Sequence, residues 1–237
     1  MKITGFIFAA GLGTRLYPLT ASKPKALVRY QGKPLLAYVL EKMVEAGIHD
    51  VVVNVHHFAD QIIDYLHDYQ GDVDIRISDE RVYLRDTAGG LKYAQPLLGD
   101  ADVMVLYNVD ILSTINLRSM IEHHLSSKAD VTLAVRERST ARYLMFDPVD
   151  LRLKGWKNVK TGELILPDNY SPTIDLAFSG IHVINADVIN VIPSVEKSSL
   201  VPFYVHNINN LSIKGFWHQQ DQWFDVGKYE EFYNLLT

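Results

Sequence analysis

The sequence predicts an α/β fold in which a mostly parallel sheet is covered by helices on both faces. Short apolar runs rich in β-branched residues alternate with amphipathic segments over residues 1–136. Several of these runs are apolar at nearly every position, as expected of strands that are covered on both sides. Alternation of strand and helix along a chain implies right-handed crossovers and a mainly parallel sheet.

The first 136 residues contain five predicted strands and four predicted helices. The strands are predicted over residues 3–9, 51–55, 73–77, 102–110 and 131–135. The helices are predicted over residues 35–45, 58–69, 89–99 and 117–126, the third of them interrupted near Pro96. In the first two helices apolar side chains recur every three or four residues, which places them on one helical face. Gly47 is a natural C-cap for the first helix.

The pattern changes after residue 136. Short strand-like segments at residues 152–156, 162–166, 177–184 and 212–219 alternate with turns. The amphipathic segment 229–236 predicts a closing helix. No linker or repeat marks a boundary, so we expect a single domain over residues 1–237. Residues 1–136 form its parallel portion, and residues 137–237 form a smaller antiparallel portion folded onto it.

The composition excludes several classes of function. The chain has 237 residues, of which 48% are hydrophobic, so it is long enough to bury a full core. Its net charge is -5 and no basic block stands out, so neither nucleic acid nor an anionic membrane is expected as a partner. The absence of cysteine excludes a disulfide framework and a thiolate zinc site, and it is consistent with a cytoplasmic protein. The first apolar run meets Gly11 before it reaches the length of a signal peptide or membrane span.

A glycine-rich turn directly follows the first predicted strand. Gly11 and Gly13 let the backbone approach a ligand closely, and successive backbone N–H groups can then cradle an anion. The dinucleotide-binding fingerprint needs a third glycine where Leu16 stands, and the Gly-Lys-Ser/Thr of a P-loop is absent. Arg15 and Lys25 follow closely. Because arginine can hold two phosphate oxygens and lysine acts as a point charge, the turn indicates a phosphate site of another kind.

Two aspartates are candidate ligands for a divalent cation. Asp110 ends a predicted strand, and open α/β sheets bind ligands beyond the carboxyl ends of their strands. Asp225 stands between Phe224 and Val226 and precedes a glycine, which indicates a carboxylate aimed at a site. Mg²⁺ prefers oxygen ligands and keeps several waters, so one or two carboxylates suffice to hold it. The two aspartates are far apart in sequence, and only the fold can bring them together.

The chain resembles the sugar-phosphate nucleotidyltransferases. The resemblance is carried by the dense signature AAGLGTRLYPLTASKPKAL and by KPLLAYVLEKMVEAGIHDVVVNVHHFADQI, DTAGGLKYAQPLL, FSGIHVI and WFDVGKYEEF. It implies a Rossmann-like three-layer sandwich, the nucleotide-diphospho-sugar transferase fold, with a small antiparallel subregion on the sugar side. Residues 1–136 would bind the nucleotide and residues 137–237 the sugar. Members of the family catalyse attack of a sugar 1-phosphate on a nucleoside triphosphate, with release of pyrophosphate.

The resemblance also implies a role for each matching residue. The nucleotide-binding residues are Ala10, Gly11, Gly13, Thr14, Arg15, Lys25, Thr87, Gly89, Gly90 and Asn108, and Arg15 and Lys25 are also catalytic. The sugar-binding residues are Asn108, Ser179 and Gly180, and the Mg²⁺ ligands are Asp110 and Asp225. The chain departs from the family pattern at Val109, where glycine is frequent, and at Lys228 and Tyr229. His218 is a further candidate for the sugar side. The lysine that contacts the sugar phosphate is left open among Lys154, Lys157 and Lys160.

Several substrates and functions are left open by the sequence. The implied partners are a nucleoside triphosphate and a sugar 1-phosphate, with UTP and N-acetylmuramate 1-phosphate as the first choice. GTP with mannose 1-phosphate, and a cytidylyltransferase acting on choline phosphate, are alternatives. A non-catalytic regulatory homologue is disfavoured because Arg15, Lys25 and both aspartates are retained, and a dinucleotide-dependent dehydrogenase is disfavoured by Leu16. The chain is expected to be a compact member without a C-terminal hexapeptide-repeat domain, either a monomer or a homo-oligomer.

Overall fold

The computed structural model describes residues 1–166, 172–194 and 197–236. The strands are β1 (Ile3–Phe8), β2 (Arg29–Tyr30), β3 (Lys33–Pro34), β4 (Asp50–Val55), β5 (Asp74–Asp79), β6 (Val103–Asn108), β7 (Ile111–Ser113), β8 (Val131–Arg136), β9 (Arg142–Phe146), β10 (Leu153–Asn158), β11 (Glu163–Ile165), β12 (Ile174–Asn185), β13 (Ile213–Trp217) and β14 (Trp223–Asp225). The helices are α1 (Leu35–Glu45), α2 (Ala59–His67), α3 (Asp86–Tyr93), α4 (Leu117–Ser126), α5 (Val188–Val191), α6 (Leu200–His206) and α7 (Tyr229–Leu236).

The central sheet runs in the order β5-β4-β1-β6-β12, and β9, β10 and β11 continue it beyond β12. Strands β6, β1, β4 and β5 are parallel. Strand β12 is antiparallel to β6, β8 and β9, and β9, β10 and β11 form the antiparallel extension. The predicted mixed sheet with a mostly parallel core is therefore confirmed. The chain leaves β1 toward β4 on one side and returns to β6 on the other, which opens a crevice at the carboxyl ends of β1 and β6.

Successive residues of a strand point to opposite faces of the sheet, and each face packs apolar side chains against helices. Ile7 of β1 and Val53 of β4 pack in one buried cluster with residues of α1, α2 and α4. Phe6 of β1 and Val52 of β4 pack in the other cluster with residues of α3, α5 and α6. These two clusters make the three layers of the predicted sandwich.

A third apolar cluster joins the end of the chain to its beginning. Val226, just after β14, and Phe232 of α7 are buried against Leu16, Leu35 and Leu112, among others. Full burial of such side chains stabilises a fold by about 1.5–3 kcal/mol each. This cluster brings the end of β14 to the glycine-rich turn after β1.

The predicted helices and strands are present with shifted ends, and a few elements were not predicted. The third helix begins at Asp86 and ends at Tyr93, so Gly89 and Gly90 lie inside it, and a separate 3-10 turn contains Pro96. Strand β9, helix α6 and the ribbon of β7 with β14 have no clear sequence pattern because they are short. Within the described ranges, no helix combines the length and the hydropathy needed to cross a membrane.

Candidate active site

The turn after β1 lies at the carboxyl ends of three parallel strands. The register places Phe8, at the end of β1, beside Asn54 of β4 and Asn108 of β6. The Asn54 Oδ1 atom accepts hydrogen bonds from the backbone N–H groups of Ala9, at 2.8 Å, and Ala10, at 3.2 Å. A side chain from the neighbouring strand therefore holds the start of the turn in place.

The turn needs glycine at one position for its conformation. Gly13 has a φ of 68°, and a Cβ atom there would lie 3.0 Å from Thr20 Cγ2. Thr14 follows with an exposed side chain at the start of a 3-10 turn. At Gly11, the Lys25 Nζ atom lies 3.6 Å from the position of a Cβ, so the ammonium group stands beside the backbone of the turn. Backbone amides and an ammonium group together can bind an anion.

Lys25 also forms a largely buried ion pair with Asp110, the residue two positions after β6. The Lys25 Nζ atom donates to Asp110 Oδ2 at 2.7 Å. Their side chains are only 14% and 10% exposed, so solvent screens the pair little. The pair links the turn after β1 to the end of β6.

The ribbon of β7 and β14 brings Asp225 to Asp110. Antiparallel pairing sets Asp225 beside the start of β7, and the Val226 N–H donates to the Asp110 carbonyl at 2.9 Å. A Cβ on Gly227 would clash with Asp110 Oδ2, and it would lie 2.9 Å from Asp225 Oδ1 and 3.3 Å from Arg15 Nη2. All three atoms surround one point, so the structure assembles both predicted aspartates with Arg15.

This donor set fits Mg²⁺. Among the described residues, no group of three or more His, Cys, Asp or Glu side chains converges as a protein-only metal site would. The Asp110 Oδ2 and Asp225 Oδ1 atoms both lie within 2.9 Å of the position of a Cβ on Gly227, so the two carboxylates are neighbours. Two carboxylates, with the remaining positions left to water and phosphate oxygens, form the kind of site that Mg²⁺ prefers.

A cleft of about 420 Å³ opens in front of these residues, a size typical of small-molecule sites. The residues predicted from sequence that line it are Ala10, Gly11, Arg15, Lys25, Thr87, Asn108 and Asp110. Three further charged residues line it that were not among the predicted site residues, namely Glu80, Asp86 and Lys197. Of these, Asp86 begins the family-like segment DTAGGLKYAQPLL, and no local sequence signal marks the other two.

Glu80 completes a buried network under the cleft. The Asn54 Nδ2 atom donates to Glu80 Oε1 at 2.8 Å, and the Arg85 N–H donates to Oε2 at 3.2 Å. Burial raises the pKa of Glu80, and these hydrogen bonds oppose that shift. Gly90 of α3 packs against this carboxylate, since a Cβ there would lie 2.6 Å from Glu80 Oε1. Gly90 therefore stands close to Asn54 and to the turn.

Residues 197–200, which lead into α6, contribute to the wall of the cleft next to α3. The Ser198 carbonyl accepts a hydrogen bond from Gly89 N–H at 3.1 Å, and Thr87 Oγ1 accepts one from Leu200 N–H at 2.9 Å. These bonds dock the segment on α3 and bring Lys197 to the cleft. Thr87 and Gly89 thus hold the wall, and their predicted contacts with a nucleotide stay predictions.

Ser179 and Gly180 lie in a bulge of β12 next to the cleft. The register of β12 against β8 shifts at this point, and Gly180 has a φ of 80°. A Cβ on Gly180 would lie 3.0 Å from Asn108 Nδ2, so the bulge touches a residue of the cleft. Ser179 is fully buried. The predicted sugar contacts of Ser179 and Gly180 stay predictions.

Two side chains on the path from β13 to Asp225 hold this bulge. The His218 Nε2 atom lies 2.7 Å from Ser179 Oγ, and Trp223 Nε1 donates to the Ser179 carbonyl at 2.9 Å. Burial, with a smaller contribution from the nearby Arg136, lowers the pKa of His218 to about 4. His218 is therefore neutral near pH 7, and it positions the bulge rather than supplying charge.

The three candidate lysines on and after β10 lie at different distances from the bulge. Strand register sets the end of β10 level with the β12 residues nearest Gly180, so Lys157 is closer to the bulge than Lys154. Lys157 also forms an ion pair with Asp175 of β12. Lys160 lies in an exposed turn beyond the strand. Lys157 is therefore better placed than Lys154 to contact a ligand at the bulge.

Comparison with known families matches residues 4–145 to the family described as nucleotidyl transferase. The N-acetylmuramate alpha-1-phosphate uridylyltransferase of Caulobacter vibrioides is 46% identical over 107 residues, which is 44% of this chain and 44% of that protein. A mannose-1-phosphate guanyltransferase of Hypocrea jecorina is 27% identical over 248 residues, covering 96% of this chain and 62% of that protein. The matches span less than two thirds of the length of either relative.

Among solved structures, HddC from Yersinia pseudotuberculosis has a similar fold. It aligns with a TM-score of 0.79 at 22% identity, over 100% of this chain and 98% of that chain. The structure of HddC complexed with GMP-PN aligns with a TM-score of 0.78 at 21% identity, with the same coverage. At this level of identity the similarity establishes the fold, and it confirms the predicted Rossmann-like sandwich.

Proposed function

Because the chain belongs to the nucleotidyl transferase family, we propose that it transfers a nucleoside monophosphate from a nucleoside triphosphate to a sugar 1-phosphate and releases pyrophosphate. The proposal is carried by one observation: Arg15, Lys25 and Asp110 line one cleft, and Asp225 lies next to Asp110 at Gly227. Cations that can bind phosphate meet carboxylates that can bind a metal at the crevice of an open α/β sheet, where ligands of such folds bind.

In the proposed reaction, an oxygen of the sugar phosphate attacks the α-phosphorus of the triphosphate. The bond between the α-phosphorus and the oxygen bridging to the β-phosphate breaks, and pyrophosphate leaves with that electron pair. The attacking oxygen is already anionic near pH 7, because the second pKa of such a phosphate is about 6. The chain therefore needs no general base, and its contribution is positioning and stabilisation of charge.

In this proposal, the family resemblance gives each charged residue a role that its chemistry fits. The amides of the turn after β1 hold the triphosphate, with Lys25 between the α-phosphate and the sugar phosphate. Arg15 stabilises the β- and γ-phosphates and the departing pyrophosphate. Asp110 and Asp225 would hold Mg²⁺, which would neutralise phosphate charge when bound.

The remaining predicted residues divide between the two substrates. In this proposal, Asn108 stands between nucleotide and sugar, because it ends β6 beside β1 and also contacts the bulge of β12. Lys157 contacts the sugar phosphate, and the bulge shapes the sugar side through Ser179 and Gly180. Thr87, which lines the cleft from α3, contacts the nucleobase, and Gly89 and Gly90 support it from behind by letting α3 pack on Ser198 and Glu80.

The comparisons support two pairs of substrates to different degrees. UTP with N-acetylmuramate 1-phosphate is supported by the 46% identity to the Caulobacter vibrioides uridylyltransferase. GTP with mannose 1-phosphate is the second candidate, supported by the match to a guanyltransferase over 96% of this chain. We propose the first pair.

Pyrophosphate release in the presence of Mg²⁺ tests this function. Each of the four triphosphates is paired with N-acetylmuramate 1-phosphate, mannose 1-phosphate and N-acetylglucosamine 1-phosphate. Asp110→Asn and Asp225→Asn should each lower kcat/KM by about 10²-fold or more while the protein stays folded. Asp110→Asn should also lower the melting temperature, because Lys25 then loses its charged partner. Asp100→Asn, an exposed aspartate at the opposite end of β6, is the matched control.

Absence of turnover with every pair would contradict the proposal, as would wild-type rates in either active-site variant. A regulatory homologue without catalysis would behave differently. It would gain thermal stability from a triphosphate or nucleotide sugar, because ligands that bind the folded state stabilise it, yet it would release no pyrophosphate.

A further inference from the structure

The segment that leads into α6 brings a lysine to the cleft from the second portion of the chain. Among the described residues that line the cleft, Lys197 alone comes from residues 137–237. The others belong to the end of β1 and the segment after it, to the ends of β4 and β6, and to α3 with the loop before it. The family resemblance assigns the nucleotide to residues 1–136 and the sugar to residues 137–237, so Lys197 crosses that division.

The backbone next to Lys197 is fixed on α3. The Ser198 N–H donates to the Arg85 carbonyl at 3.1 Å, and the Ser198 carbonyl accepts from two N–H groups of α3, at 2.8 and 3.1 Å. One residue further on, Ser199 Oγ donates to Asp86 Oδ2 at 2.6 Å. A freely moving loop loses backbone entropy when it binds a ligand, and this anchoring lowers that cost. The start of α3 therefore decides where Lys197 lies.

The charged groups of the cleft differ in whether the chain itself supplies their partners. The described carboxylates that line the cleft each accept a hydrogen bond within the chain; they are Glu80, Asp86 and Asp110, and their donors are Asn54 Nδ2, Ser199 Oγ and Lys25 Nζ at 2.8, 2.6 and 2.7 Å, respectively. Lys197 is exposed, and it makes no hydrogen bond or ion pair with any residue that the structure describes. Its charge is therefore available to a ligand.

An ammonium group at this place suits a polyphosphate. Lysine is a compact point charge that binds phosphate oxygens well, whereas a nucleobase offers it only neutral acceptors. Arg15 lines the same cleft from the segment after β1, so two cations from different segments can contact different phosphate groups of one ligand. No described residue of β9, β10, β11 or β12 lines this cleft. The phosphates within reach of Lys197 are therefore those of the nucleotide.

We propose that Lys197 is a further phosphate-binding residue, which contacts the triphosphate of the nucleotide from the side of the cleft next to α3. This inference rests on the proposed function. It adds to the nucleotide site a residue from the portion of the chain that the family resemblance assigns to the sugar. The contact is made equally in the ground state and the transition state, so it lowers KM for the triphosphate and leaves kcat nearly unchanged.

Calorimetric titration with inorganic tripolyphosphate in the presence of Mg²⁺ tests the contact without a nucleobase or a sugar. Lys197→Gln should weaken this binding about 10-fold, the lower end of the range for a charged hydrogen bond, because the group is exposed to solvent. Lys197→Arg should keep most of the affinity. Lys128→Gln, at an exposed lysine before the amino end of β8, is the matched control and should bind as the wild type does.

Turnover separates the two substrates. In Lys197→Gln, KM for the triphosphate that is turned over should rise about 10-fold, while KM for the sugar phosphate and kcat should stay within about 2-fold of the wild type. A rise in KM for the sugar phosphate alone would assign Lys197 to the other substrate and would overturn the inference. Weaker binding together with a lower melting temperature of the ligand-free variant would show a structural role, which would also overturn it.

Failure of this inference and failure of the proposed function are distinguishable. If no substrate pair turns over, the proposed function fails, and the titration with tripolyphosphate still decides the role of Lys197. A wild type that binds no tripolyphosphate contradicts the inference. So does an unchanged affinity in Lys197→Gln, or an equal loss in Lys197→Gln and Lys128→Gln, even where turnover supports the proposed function.

Discussion

Single glycines and one amide decide how closely the charged groups of the cleft approach one another. Gly227 has two carboxylate oxygens and a guanidinium nitrogen where a side chain would stand. Its φ lies outside the left-handed region, so the requirement for glycine comes from close approach rather than from backbone conformation. Asn54 has the opposite role, because its side chain fills the space under the turn and bonds to three groups there.

Gly227→Ala should lower activity by about 10²-fold, because the added methyl group would stand between the Asp110 and Asp225 carboxylates and push them apart. Pyrophosphate release as a function of Mg²⁺ concentration measures the effect, and more metal should be needed for half-maximal rate. The control is Gly162→Ala, in an exposed turn where a Cβ would meet nothing within 4 Å. Its φ of 75° predicts a stability loss of about 1 kcal/mol with unchanged activity. Full activity of Gly227→Ala would show that the aspartates are not held as the structure indicates.

Asn54→Ala should lower the free energy of unfolding by about 3 kcal/mol, because it leaves two backbone N–H groups and the Glu80 carboxylate without a partner. Urea denaturation at pH 7 measures this loss. Asn158→Ala, which removes only an acceptor for Lys160 N–H in an exposed turn, should change stability by less than about 0.5 kcal/mol. Equal losses for the two variants would argue against the buried network.

At the scale of elements, the ribbon of β7 and β14 assembles the site. Each strand has only three residues, and more than a hundred residues separate them along the chain. Such strands are too short to show a recognisable alternation of apolar and polar residues, and their pairing depends on long-range contacts. Longer elements are different, since α1, α4 and β4 were predicted correctly from periodicity, β-branched runs and caps.

The N-terminus of α4 offers a test of local control over an element. Asn116 is its N-cap, and the Asn116 Oδ1 atom accepts a hydrogen bond from Ser119 N–H at 3.0 Å. Asn116→Ala should cost about 1 kcal/mol in urea denaturation, whereas Asn116→Asp should keep the cap and add a favourable charge at the helix N-terminus. Both variants should keep wild-type activity. Equal stability of Asn116→Ala and Asn116→Asp would refute the capping role.

At the scale of the whole molecule, the fold buries histidine side chains. His182 of β12 is buried, and its Nδ1 atom lies 3.1 Å from Tyr204 Oη. His218 is buried beside Ser179. Burial lowers the pKa of His182 to about 3 and is the main cause that lowers the pKa of His218 to about 4. Folding therefore keeps both rings neutral at pH values where an unfolded chain would protonate them.

This difference predicts how stability depends on pH. Histidines of the unfolded chain titrate near 6.5, so below that pH the unfolded state binds protons that the folded state does not. The free energy of unfolding is unaffected by these groups above pH 6.5, and it falls as the pH drops toward 4. Each of the two histidines contributes a slope of about 1.4 kcal/mol per pH unit.

Urea denaturation between pH 7 and pH 4.5 measures that slope. His182→Asn preserves a polar atom near Tyr204 and removes one titrating ring, so its slope should be shallower by about 1.4 kcal/mol per pH unit. His206→Asn, at an exposed position of α6, should keep the wild-type slope. Identical slopes in the His182 variant and the wild type would contradict the prediction.

The sequence by itself determined the order of the main elements, the fold class and the chemistry of the turn after β1. These depend on neighbours in the chain, because periodicity, glycine positions and charge near a strand end are local properties. The tertiary structure decided that Asp225 meets Asp110 and that Glu80 lies buried under the turn. These contacts depend on strand register and on the packing of Val226 and Phe232 against Leu16. The stabilisation from such packing comes from many residues that are distant in the chain, so it leaves no local pattern in the sequence.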